Sequence, residues 1–284
     1  MNPIWLKKKL QEILSADIGR GDLTTSAIVP PSHRSEATFL AKAEGVLAGL
    51  PIAEQVFRLL DPTIEVTPLT PEGEVFQKGQ ILAKVQGPTW AILSGERTAL
   101  NLIQRLSGIA SATRKLVELT RGYKAQVTDT RKTMPEMAVL DKYAVRVGGG
   151  VNHRMGLDDA VLIKDNHIAV AGSISEAVAR VRRQIGFLVN VEVEVETLKQ
   201  LDEAIAAGAD FILLDNMGLD EMRQAVERVG GRIPLEASGN ISMETVREVA
   251  ATGVDFISSG SLTHSVKAMD ISLNIRSDNN QKGV

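Results

Sequence analysis

Arg131, Lys132, His153, Arg154 and Lys164 fall together in the run TDTRKTMPEMAVLDKYAVRVGGGVNHRMGLDDAVLIKDNH (128–167), among glycines and apolar stretches. The whole chain has 284 residues and a formal net charge of −3. Cations concentrated inside a slightly acidic chain make a focused anion site, not a broad polyanion surface. Arginine offers a planar fork for carboxylates, and lysine a mobile point charge suited to phosphate. A small, multiply anionic substrate is therefore expected. The acidic balance argues against nucleic acid as a partner.

Carboxylates supply the opposite charge. In VEVEVE (191–196), strand geometry sends the valines to one face and the glutamates to the other. If the valines pack against helices, Glu192 and Glu194 point into a barrel interior. Buried carboxylates need cations, metals or hydroxyl donors, and Arg131, Lys132 and Lys164 are the available cations. The competing reading is an exposed edge strand with solvated glutamates. Glu194 and Asp215, with phosphates nearby, would suit Mg²⁺, which favours carboxylates, waters and substrate oxygens. His153 and His167 are as consistent with structural hydrogen bonding as with chemistry, and no spacing matches a zinc motif.

These residues need a scaffold, and the second half repeats one pattern. Apolar strand candidates lie at 125–128, 160–164, 189–195, 209–214, 233–236 and 254–258, separated by amphipathic helices. Ser173 and Glu176 form a capping box before a helix with Ile174, Val178, Val181 and Ile185 on one face. Leu198, Leu201 and Ile205 mark the next helix, and Leu219, Met222, Val226 and Val229 the one after. Ser242 is expected to cap a fourth, carrying Met243, Val246 and Val249. Strands alternating with helices predict βαβ units and a parallel sheet. Short connections favour a barrel or partial barrel over an open doubly wound sheet.

In a βα barrel the reactive groups gather at the C-terminal strand ends. Here those ends offer Asp129, Arg131 and Lys132, then Lys164, Asp165 and Asn166, then Glu194 and Glu196. Asp215, Asn216, Glu236, Ser238, Gly239, Ser259 and Gly260 follow. The loops EASGNIS (236–242) and SSGSLTH (258–264) place glycines and hydroxyls ahead of helix starts, a pattern suited to phosphate.

The first hundred residues read as a separate α+β domain, with short strands in 35–48 and 63–86 around a helix at 51–60. A helix at 94–106 then leads into the barrel. The assigned domains are 1–108 and 109–264. With no cysteine, disulfides and thiolate chemistry are excluded. No segment has the length and apolarity of a signal peptide or membrane span, so a cytoplasmic location is expected.

The chain resembles the quinolinate phosphoribosyltransferases almost end to end. The likeness rests on DIGRGDLTT (17–25), GERTALNLIQRLSGIA (95–110), TRKTMP (130–135), GGGVNHRMGLDD (148–159) and LIKDNHI (162–168). VEVEVE, LLDNM (213–217) and the two glycine–hydroxyl loops complete it. The resemblance implies an N-terminal sandwich and an incomplete TIM-like barrel, with the tail 265–284 rejoining the N-terminal domain. It implies that quinolinate and 5-phosphoribosyl 1-diphosphate, with Mg²⁺, give nicotinate mononucleotide, diphosphate and CO₂ in de novo NAD biosynthesis. Arg97, Arg131, His153 and Arg154 match the quinolinate-binding groups. Arg97 is expected to act in a neighbouring subunit's site, in a homodimer or a hexamer built from dimers. Lys132 and Lys164 match lysines near substrate and diphosphate, and Glu194 and Asp215 the ribose and metal carboxylates. Ser238, Gly239, Gly260 and His264 match the 5′-phosphate loops. A nicotinate-using relative is the nearer rival. A carrier module modified at Lys78, in the hairpin-like 73–87, is the rival of another class.

Overall fold

The computed structural model describes residues 1–275, and these divide into two compact units, residues 1–111 with 266–275, and residues 112–265. The first opens with α1 (Pro3–Ile18), capped by Asn2, and α2 (Leu23–Ile28), capped by Asp22. Then come β1 (Arg34–Ala41), β2 (Gly45–Val46), α3 (Leu50–Leu60), β3 (Glu65–Pro68), β4 (Val75–Phe76) and β5 (Ile81–Pro88). Phe39, Val56, Phe57, Leu82 and Val85 are fully buried and centre this unit's core. Lys78 lies in the turn between β4 and β5, but β4 pairs with β2 while β5 pairs with β1 and β3. Its flanking strands belong to different sheets, which removes the hairpin tip that a carrier lysine requires.

The helix expected at 94–106 is much longer. α4 spans Thr89–Leu119 and contributes residues to both units.

The second unit runs β6 (Gln126–Thr128), α5 (Ala138–Val147), β7 (Val161–Ile163), α6 (Asp165–Ala171), α7 (Ile174–Arg182) and β8 (Val191–Val195). It continues with α8 (Leu198–Ala206), β9 (Phe211–Asp215), α9 (Leu219–Val229), β10 (Leu235–Ser238), α10 (Val246–Ala250), β11 (Phe256–Ser258) and α11 (Ser261–His264). Its six strands are parallel in the order β6-β11-β10-β9-β8-β7. Val151 adds a single parallel bridge to Thr128 beyond β6, while β7 ends the other edge. The result is an incomplete βα barrel. Last, β12 (Ile271–Ile275) pairs antiparallel with β1, giving the first unit a sheet ordered β12-β1-β5-β3.

Alternation along β8 decides what faces inward. Val191, Val193 and Val195 are completely buried in the core cluster with Leu201, Ile212 and Leu214. Removing each valine from water contributes roughly 1.5–3 kcal/mol, which fixes the register and forces Glu192 and Glu194 to the other face. Ser173 and Thr197 cap α7 and α8 through their side chains. Ser242 does not cap a helix. Its hydroxyl donates to Glu244, and α10 starts only at Val246, so Met243 falls outside it.

Candidate active site

A cavity of about 570 Å³ opens at the C-terminal ends of the strands. The β6 loop contributes Arg131 and Lys132 to it, and the loop after Val151 contributes His153 and Arg154. Lys164 follows β7, Glu194 lies on β8, Asp215 ends β9, and Ser238 and Gly239 close β10. Gly260 stands beside this group. A Cβ there would come within 2.8 Å of Lys132 Cδ and 3.1 Å of the His264 ring. Thr263 donates to the Lys132 carbonyl at 2.8 Å, joining α11 to the β6 loop. Arg97 is exposed on α4 in the first unit and does not line the cavity. The hydroxyl–glycine loop after β11 does run directly into α11, as its sequence suggests. The one after β10 does not, because seven residues separate Ser238 from α10.

At the rim, Lys164 Nζ donates to Glu194 Oε2 at 2.6 Å, with the lysine side chain 45% and the glutamate 12% exposed. Asp215 accepts from Asn216 Nδ2 at 2.8 Å. The next loop is clasped to this one. Asn240 Nδ2 donates to Asn216 Oδ1 at 3.1 Å, and Asn216 N to the Ser238 carbonyl at 3.0 Å. Gly239, at φ +93°, fits beneath, where a Cβ would lie 2.1 Å from Asn216 Oδ1. Asn216 and Asn240 are both left-handed at φ +53°, a region asparagine tolerates better than most residues. The sequence hints at this clasp only through the paired Asp-Asn and Gly-Asn steps.

Below the rim, Glu192 meets none of the cations expected for it. Its Oε2 is 3.0 Å from His153 Nε2, and Glu236 Oε2 approaches the same nitrogen at 3.5 Å. Burial disfavours a charged ring, but the Glu192 hydrogen bond and the charges of Glu236 and Glu192 more than offset it, raising the His153 pKa. His153 Nδ1 accepts the Arg154 N–H at 2.7 Å, so the neutral ring carries its proton on Nε2. Burial first, then the Glu192 charge, push Glu236 up to about 7, against the opposing pull of His153. Glu236 Oε1 has no hydrogen-bond partner among the described residues.

His153, Glu192 and Glu236 could in principle hold a metal ion, a grouping no sequence spacing suggests. With Nδ1 accepting a hydrogen bond, a metal on Nε2 would require an imidazolate, so the geometry favours a shared proton. His167 is structural here, its Nδ1 accepting the Lys164 N–H at 2.9 Å.

A third group fixes the His153 loop. Lys142 and Asp129 form an ion pair in which both side chains are buried. Asp129 also accepts from Asn152 Nδ2 at 2.6 Å and from the His153 N–H at 3.1 Å, while Lys142 Nζ reaches the His153 carbonyl at 3.1 Å. Burial raises the Asp129 pKa, with Lys142, Asn152 and His153 pulling the other way. His153 is thus held on both sides of its own backbone. Lys142 and Asn152 carry no pattern that marks them, because their partners are distant in sequence.

An incomplete barrel whose strand ends gather cations, two rim carboxylates and a glycine–hydroxyl loop defines a site for joining anionic substrates. Two family models cover the chain: the quinolinate phosphoribosyl transferase N-terminal domain over residues 22–107 and its C-terminal domain over 109–274. The chain belongs to the quinolinate phosphoribosyltransferase family. It is 48% identical to the Bacillus subtilis (strain 168) protein named "Probable nicotinate-nucleotide pyrophosphorylase (carboxylating)", covering 98% of this chain and 96% of that one. It is 42% identical to a mitochondrial decarboxylating quinolinate phosphoribosyltransferase of Nicotiana glauca, covering 95% and 82%. The nicotinate-nucleotide pyrophosphorylase structure from Francisella tularensis superposes with a TM-score of 0.92 at 40% identity, covering 97% and 98%.

Proposed function

We propose that this chain joins quinolinate to 5-phosphoribosyl 1-diphosphate, releasing diphosphate and CO₂ and leaving nicotinate mononucleotide for NAD biosynthesis. The observation that carries this reading is the single cavity gathering Arg131, Lys132, His153, Arg154 and Lys164 with Glu194, Asp215 and the Ser238–Gly239 loop. Arg131 and Arg154 suit the two carboxylates of quinolinate, with His153 beside them. Lys132 and Lys164 offset charge on the departing diphosphate. Ser238 and Gly239, with Gly260 and His264, suit the 5′-phosphate.

As the bond from ribose C1 to diphosphate breaks, positive charge develops on the ribosyl centre, and Glu194 and Asp215 stabilise it electrostatically. The ring nitrogen of quinolinate attacks C1, and the pyridinium so formed accepts the electrons released when the 2-carboxylate leaves. Binding two mutually repelling anions in one orientation is the larger share of the work.

Glu194 and Asp215 end adjacent strands and offer only oxygen donors, a set that fits Mg²⁺. When bound there, the ion would neutralise diphosphate charge. The reading includes a homodimer in which Arg97 serves the neighbouring subunit's quinolinate site. Mixed dimers of inactive Arg97→Ala and Lys164→Ala chains should then regain activity, and no recovery in verified mixed dimers would return Arg97 to its own chain. Among the described residues no helix is long and apolar enough to cross a membrane. The reading takes the enzyme as cytoplasmic and acting on small molecules, without a nucleic-acid or membrane partner.

The deciding assay supplies quinolinate or nicotinate with phosphoribosyl diphosphate and Mg²⁺ and follows CO₂ and nucleotide. CO₂ should appear from quinolinate only when both other components are present. Equal turnover of nicotinate would overturn the dicarboxylate assignment, because a site built for two carboxylates leaves cations unpaired with one.

A further inference from the structure

Glu236 has no part in the scheme above, yet it is 5% exposed, and one of its carboxylate oxygens has no partner among the described residues. It also lines two cavities. One is the substrate-side cavity, and the other, of about 340 Å³, opens toward the N-terminal ends of the strands, where Val161, Asn190, Phe211 and Phe256 line it with Asn152 and Asp159. His153 and Arg154 share this position between the two.

Geometry sets the charge state. Two buried carboxylates, Glu192 and Glu236, converge on one histidine nitrogen at 3.0 and 3.5 Å. The other ring nitrogen accepts the Arg154 N–H, so the neutral ring offers a single N–H. One shared N–H cannot satisfy two buried anions, and like charges this close do not both ionise. Glu192 has the shorter contact, which leaves the extra proton to Glu236. Around it stand Glu192 on β8, His153, Ser258 on β11 and Asp129 after β6. The neutral acid can stand beside an anionic substrate without repulsion, and the hydroxyl beside it is that of Ser258, itself buried.

We propose that Glu236 is the proton donor to the pyridine carbon that loses CO₂. This rests on the quinolinate reading. The bond from ring C2 to the carboxylate carbon breaks, CO₂ departs, and the electron pair stays on C2 beside the positively charged ring nitrogen. The Glu236 O–H bond then breaks as C2–H forms, before the ring carbon can recapture the CO₂ beside it, leaving Glu236 as a carboxylate next to His153. Bulk solvent, which reaches Glu236 through the second cavity, supplies the one proton that each decarboxylation consumes and reprotonates Glu236, with no oxidant or reductant required. Lys132 and Lys164 are the competing donors in the cavity, but Lys164 already donates to Glu194 and Lys132 packs against Gly260.

The test is a single-turnover comparison of wild type with Glu236→Gln, a near-isosteric change, and Glu236→Asp. Diphosphate and CO₂ are followed separately with quinolinate, phosphoribosyl diphosphate and Mg²⁺. General acid catalysis typically contributes 10²–10⁴-fold, so in Glu236→Gln CO₂ release should fall about 10²-fold further than diphosphate release. The nucleotide that still bears both carboxylates should accumulate. Glu236→Asp should recover part of the lost CO₂ rate. Equal slowing of both products in Glu236→Gln, or no slowing of either, would overturn the proposal. Absence of diphosphate release from the wild type would instead refute the quinolinate reading.

Discussion

Two glutamates on one strand, two residues apart and on the same face, meet opposite fates. Glu194, at the rim, is paired with a half-exposed lysine, whereas Glu192, one layer deeper, faces a histidine and a second buried carboxylate. The lysines divide in the same way. Lys164 is 45% exposed at the rim, and Lys142 is 1% exposed against a fully buried Asp129. At the rim, water and a half-exposed lysine balance charge, which leaves the carboxylates accessible to substrate or metal. In the interior a charge is tolerated only with a fixed partner, and where cations run out a proton takes their place.

Breaking the two lysine pairs should separate the layers most sharply. Lys142→Met leaves Asp129 as an uncompensated buried charge and should cost on the order of 3–5 kcal/mol in denaturant unfolding. Lys164→Met should cost under about 1 kcal/mol, because an exposed pair contributes little to stability. Similar losses for both would erase the distinction between layers. Activity should follow the other ordering. Glu194→Ala and Asp215→Ala should keep their stability and lose kcat by about 10²–10³, the usual effect of removing a preorganised electrostatic group. Unchanged kcat in either folded variant would assign that carboxylate a structural role.

A smaller effect concerns pH. The Glu236 pKa rises on folding from an ordinary 4.5 to about 7, and that of His153 is raised as well. The native state therefore holds more protons than the unfolded chain, and stability falls as pH climbs through that window. Glu236→Gln removes the acid's share of the slope. Its melting temperature relative to wild type should be higher at pH 8.5 than at pH 5.5, by the equivalent of about 2 kcal/mol at most. A pH-independent difference would place the proton elsewhere.

The rim was far more legible in the sequence than the interior. Arg131, Lys132, Lys164, Glu194, Asp215 and Ser238 follow strands whose period could be read directly, so knowing the strand ends located them. Alternation also sent Glu192 inward, because three valines had to be buried. Its partner could not be read, since His153 arrives from a loop held by Lys142 and Asp129 rather than by any local pattern. Glu236 looked like one more polar strand end. Its difference comes from depth, which depends on how far each strand extends past its neighbours. Ser242 failed as a cap for a related reason, since its hydroxyl is taken by Glu244 two residues on.

Infrared difference spectroscopy of the carboxyl stretch tests the layered account most directly, with wild type, Glu236→Gln and Glu194→Gln titrated across neutral pH. A protonated carboxyl band should be present in the wild type and in Glu194→Gln just below pH 7, fade as pH rises through about 7, and be missing from Glu236→Gln. A band that survives in Glu236→Gln, or disappears in Glu194→Gln, would contradict a proton held by Glu236 in the buried layer.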